Sequence, residues 1–77
     1  MAKGLVLIHL VAGNEREAVS EIQRINGVKN VAGTFGSWDA IAEVEASDLE
    51  SLASVVVGKI RGIAGVENTE TLIEVKI

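Results

Sequence analysis

The residues with most to offer a small molecule stand together at the centre of the chain, in Thr34-Phe35-Gly36-Ser37-Trp38-Asp39-Ala40. This stretch holds the only tryptophan and the only phenylalanine. Asp39 supplies a carboxylate that can take an ammonium group in a charge-assisted hydrogen bond. Trp38 supplies an apolar pocket wall or an anchor for a neighbouring molecule. Gly36 can adopt a positive φ and let a ligand approach bare backbone amides. Thr69 and Thr71 add hydroxyls suited to a carboxylate. Each residue also has a plain structural role open to it: a hairpin glycine, an Asx-turn aspartate, a tryptophan packed within its own chain, threonines favoured at a strand start.

Elsewhere the chemistry is thinner. His9 is the sole histidine and lies within an apolar run with no carboxylate near it in sequence, which marks a core or dimer-face residue rather than a catalytic base. Glu43 and Glu45 alternate along one strand, with Glu74 on another, a pattern of rim residues more than of a cation site. Residues 15–21, with Arg16 and Arg24 interleaved among the glutamates, read as a solvated helix face. No nucleophile pairs with a base and no glycine motif suits a phosphate, so neither an enzyme nor a cofactor is expected. With Cys 0 and His 1, no metal site is expected either. A net charge of -4 and scattered basic residues argue against direct nucleic-acid binding. The apolar run of residues 5–12 is too short to span a membrane and lacks a cleavage signal after it, so the expectation is a soluble, cytoplasmic protein.

The elements that must position the central stretch follow from periodicity. Residues 5–11 are apolar on both alternating faces, as in a central strand covered on both sides. Asn14 can cap a helix over residues 15–25 whose apolar face is Ala18, Val19, Ile22 and Ile25. Asn26-Gly27 stops it, and residues 28–35 form a second strand, interrupted at Gly33. The turn at residues 36–39 leads into a third strand over 40–46. Ser47-x-x-Glu50 matches a capping box for a helix over residues 48–63, with an apolar stripe of Leu49, Leu52, Ala53, Val56, Ile60 and Ile63. Gly65 ends it, and a fourth strand runs over 70–77.

The order is βαββαβ and has the mark of a duplication, because Ile22-x-x-Ile25-x-Gly27-Val28 recurs as Ile60-x-x-Ile63-x-Gly65-Val66. Right-handed crossovers then give an α+β, ferredoxin-like domain over residues 1–77: a four-stranded antiparallel sheet in order 4-1-3-2, with both helices on one face. Strand one needs cover on its other face too, and a second copy of the sheet supplies it, which predicts a sheet-to-sheet dimer. A chain of 77 residues without disulfides also needs the added stability of association.

Gly27-Val28-x-x-Val31, Gly36-x-Trp38-Asp39, Leu49-x-x-Leu52 and Ile63-x-Gly65-Val66-x-x-Thr69-x-Thr71 together resemble the carboxyl-terminal effector domain (RAM domain) of Lrp/AsnC regulators, over residues 5–76. The resemblance implies dimers that assemble further into octamers or decamers, with an amino acid or similar small metabolite bound between dimers. It places the ligand at the turn, Thr34, Gly36, Ser37, Trp38, Asp39 and Ala40, and at the Thr69 to Thr71 segment. Two departures stand out. Trp38 occupies the position where the family usually has tyrosine, and the chain starts at strand one without the family's helix-turn-helix. A role in transcription is therefore expected to be indirect, through oligomer assembly or through full-length Lrp/AsnC regulators. The competing expectation on the same topology is a small dimeric α+β-barrel enzyme of the cofactor-free monooxygenase or isomerase type, which would need His9 or a carboxylate in a cleft between sheet and helices.

Overall fold

A computed structural model describes residues 1–75 and runs β1 (Ala2–Leu10), α1 (Glu15–Gln23), β2 (Val28–Gly33), β3 (Ala40–Ala46), α2 (Leu49–Val55), a π-helical turn (Val56–Ile60) and β4 (Val66–Ile73). The sheet is antiparallel in order β2-β3-β1-β4, the same arrangement as 4-1-3-2 read from the other edge. The predicted ferredoxin-like α+β fold is the observed one.

Alternation along β1 sorts the two faces. Val6, Ile8 and Leu10 are buried, while Leu5, Leu7 and His9 point to the other side. On the helix side they meet Ala40, Ala42 and Val44 of β3, Val31 of β2, Ala18 and Ile22 of α1, and Leu52, Val56 and Ile60 from the second helical segment. The opposite face carries no helix. Leu5 (41%) and its β4 partner Leu72 (47%) stand exposed on it, with the half-buried pair Leu7 and Ile41 next along the strands.

The internal repeat is structural as well as sequential. Ile22 and Ile60 are both fully buried at the ends of their helices. Val28 N–H donates to Ile25 O at 3.1 Å, and Val66 N–H to Ile63 O at 3.1 Å. Gly27 and Gly65 turn the chain at φ of 106° and 98°, and their carbonyls accept from Glu45 N–H and Val11 N–H, each at 2.8 Å. Both helices thus leave by one αL exit that hands the chain directly to a strand.

Several boundaries move. Strand four begins at Val66, not residue 70, because the Gly65 exit delivers the chain straight against the end of β1, with Leu10 opposite Val66. It ends at Ile73, short of the predicted end, of which residues 76–77 lie outside the described residues. The predicted break at Gly33 is instead between Val28 and Asn30, where Lys29 bulges out of the β2 and β3 pairing; Gly33 itself pairs with Ala40. Strand two stops at Gly33, short of Phe35. The capping box is shifted by one residue: Asp48, not Ser47, is the N-cap, accepting from Ser51 N–H at 2.7 Å. That bond to an exposed carboxylate holds the Asp48 pKa below the usual aspartate value, the Ser51 backbone N–H contributing most. Asn14 makes no side-chain cap; Glu15 instead reaches back to Gly13 N–H. The second helix is regular only to Val55, since three consecutive valines and Gly58 weaken it, and Arg61 N–H bonds to Val56 O across a wider turn. Leu49 at its start is 58% exposed, so the apolar stripe is buried only at Leu52, Val56 and Ile60.

Candidate functional site

The turn between β2 and β3 is built by hydrogen bonds from its two ends. Beyond the Gly33 and Ala40 pair, Thr34 N–H donates to Asp39 O at 2.9 Å, and Thr34 Oγ1 donates to Trp38 O at 2.6 Å. Asp39 then ties the turn to β1 twice: its N–H donates to Ile8 O at 2.9 Å and its Oδ2 accepts from Leu10 N–H at 2.8 Å. Between those two attachment points lies His9, whose ring stacks on Trp38 with centroids 4.0 Å apart and planes 16° apart. His9 Nε2 also meets the carbonyl oxygen of Ser37.

The loop so held presents its tip to solvent. Phe35, Gly36 and Ser37 are exposed, and Gly36 has φ 127° with nothing within 4 Å of where a Cβ would stand. The positive φ expected of Gly36 is therefore present, and the space beside it is open. Ala40 is fully buried and forms part of the core beneath the turn.

On the helix side of the sheet, the turn forms one wall of a groove of about 670 Å³. Thr34, Phe35 and Asp39 face Arg16, Val19 and Gln23 of α1 across it, with Glu15 at one end. The groove offers opposite charges over an apolar floor, which is the chemistry a zwitterion needs: Asp39 and Glu15 for an ammonium group, Arg16 for a carboxylate. Sequence reasoning assigned Arg16 to a solvated helix face, because only the fold shows that α1 runs beside the turn.

Thr69 and Thr71 occupy a different place. Thr69 sits opposite Ile8 on β4 while Ala40 sits opposite Ile8 on β3, so the threonine lies two strands from the turn, about 10 Å away. Its side chain is buried on the helix side, and its Oγ1 accepts from Arg61 Nε at 2.8 Å. The group nearest solvent there is the exposed Arg61 guanidinium, which lines a separate cavity of about 300 Å³ with Glu67, Asn68 and Thr69. Arg61 was missed from the sequence because nothing in its own neighbourhood marks it; its link to Thr69 spans the whole helix exit. Within one chain the turn and the threonine segment are therefore not walls of a common pocket.

His9 lies on the sheet face away from the helices, outside any cleft between sheet and helices. Among the described residues no three His, Asp or Glu side chains gather to hold a metal ion, and no helix is long and apolar enough to cross a membrane.

Comparison with known proteins places this architecture. The family model of the Lrp/AsnC ligand binding domain matches residues 3–77. An uncharacterized HTH-type transcriptional regulator of Pyrococcus horikoshii is 39% identical over 59 residues, a match covering 77% of this chain and only 39% of that regulator. The crystal structure of a Thermus thermophilus protein superposes with a TM-score of 0.93 at 31% identity, over 100% of this chain and 96% of that one. A transcriptional regulator from Neisseria meningitidis, solved as a complex with L-Met, shares the fold at 13% identity and a TM-score of 0.86, over 97% of this chain and 50% of its own. With a family match over nearly its whole length, the chain belongs to the Lrp/AsnC ligand-binding-domain family.

Proposed function

We propose that the protein is a non-enzymatic effector-binding module that takes an amino acid or a similar zwitterionic metabolite at the Thr34 to Ala40 turn. The observation that carries the reading is the turn itself: Thr34 and Asp39 fix both its ends, while Gly36 and Ser37 remain open beside a groove carrying charges of both signs. A rigid frame with a bare tip suits ligand recognition, because the ordering entropy is already spent in folding. The shared fold with a regulator crystallised with L-Met supports the ligand class.

The open face of the sheet supports association of the chain with itself. Leu5, Leu7, Ile41 and Leu72 form an apolar strip across the central strands, and a second sheet packed on it would complete the core. Dimers would then meet so that the turn of one faces the Thr69 to Thr71 segment and Arg61 of the next, assembling a site that one chain leaves in two parts. A ligand bound across that boundary favours the assembled state, and transcription is modulated through the assembly. The barrel-enzyme alternative loses His9 as its base, since the ring faces away from the helices. Isothermal titration against the twenty amino acids tests the reading: heat with at least one is expected, and no heat with any, together with unchanged sedimentation, would overturn it.

A further inference from the structure

We infer that His9 is the positioning residue of the turn, holding the Ser37 to Trp38 peptide so that the Trp38 backbone N–H faces outward as a donor to a ligand carboxylate. The inference rests on the reading of the turn as a ligand wall.

Three observations carry it. Among the described residues every other hydrogen bond of the turn is made at Thr34, at the Trp38 carbonyl or at Asp39, so there the segment from Phe35 to Ser37 is held from the sheet by the His9 ring alone. A carbonyl oxygen only accepts, so His9 Nε2 carries the hydrogen and the ring donates to Ser37 O. In a trans peptide the C=O and the following N–H point in opposite directions. Pinning Ser37 O against His9 therefore turns Trp38 N–H away from the sheet, and that N–H has no partner among the described residues. Stacking on Trp38 fixes the imidazole plane, which makes the donor direction specific. His9 also shares the open face with Leu5 and Leu7, so a sheet packed there would abut the residue that sets the turn.

The chain has one tryptophan and one histidine, so Trp38 fluorescence reports this contact without interference. By register the groups beside the ring are Asn68 opposite it, Glu67 in the adjoining bulge and Glu70 opposite Leu7, with Asp39 on the turn side held by Leu10 N–H. The stacked imidazole shields one face of the indole, so acrylamide should quench Trp38 more strongly in His9→Ala than in the wild type. Equal quenching in the two proteins would overturn the contact. His9→Gln keeps a donor near the Nε2 position without the ring, and His9→Phe keeps the stack without the donor. Positioning through Ser37 O predicts that the Gln variant retains most of the amino-acid affinity while the Phe variant loses about tenfold. The reverse order would mean that the ring only fills space, and would sink the proposal. If no amino acid binds the wild type, the functional reading fails by itself. Anisotropy decay of Trp38 then decides the positioning role: fast local motion is expected in His9→Ala and not in the wild type, and identical decays would refute it.

Discussion

At the scale of single residues, Asp39 has an observed structural bond and a proposed part in ligand recognition on one carboxylate. Its Oδ2 accepts from Leu10 N–H where the β3 ladder ends, and the residue lines the groove across from Arg16. Two substitutions separate the roles. Asp39→Asn retains an acceptor for Leu10 N–H and should fold as stably as the wild type, while losing the charge that pairs with an ammonium group. Asp39→Ala leaves that N–H unpaired and should cost about 1 kcal/mol of stability as well. Thermal unfolding and calorimetric titration of the two variants check this: equal stability but weakened binding in Asp39→Asn is expected. The sequence left the aspartate open between turn residue and ligand contact, since its partner Leu10 is 29 positions away. Local pattern cannot show such a bond.

At the scale of elements, the helix exits were legible because the same seven-residue pattern occurs twice and each glycine must do the same thing. Gly65→Ala should destabilise by about 1 kcal/mol or more, because φ 98° is strained for any side chain and the new Cβ would meet Asn14 and Ala18 Cβ atoms at 3.2 and 3.3 Å. Chemical denaturation measures it. The entry of β4 was not legible: Val66-Glu67-Asn68 breaks the alternation, since Glu67 bulges where the β1 pairing shifts between His9 and Leu10. The π-helical turn was also hidden, as Leu52, Val56 and Ile60 fit an ordinary helical stripe equally well. The start of α2 carries the clearest pH dependence. A carboxylate with a lowered pKa contributes stability that is present above the unfolded value and lost as the pH falls through the folded one. Stability measured from neutral pH to below 3.8 should therefore decline more steeply in the wild type than in Asp48→Asn, which keeps an acceptor that does not titrate. Identical profiles would show that the Asp48 bond to Ser51 N–H contributes nothing in solution.

At the scale of the molecule, the sheet has one face closed by helices and one apolar face that its own chain leaves open. The sequence foretold this asymmetry, because the apolar residues of β1 alternate onto both faces while both helices fall on one side. The position of the proposed ligand walls was less legible, since Arg16 and Arg61 reach them only through packing. On the proposed reading, chains associate through the open face and an amino acid at the turn shifts the assembly. Leu7→Glu should keep the monomer fold, because Leu7 faces away from the core, and should block association by placing a charge in the apolar strip. Sedimentation velocity with and without each amino acid, on the wild type and on Leu7→Glu, is the most direct test. The expected result is a wild-type oligomer whose size distribution responds to at least one amino acid, and a folded Leu7→Glu monomer that does not respond. A wild-type protein that stays monomeric at every concentration, or an oligomer unmoved by any amino acid, would contradict it.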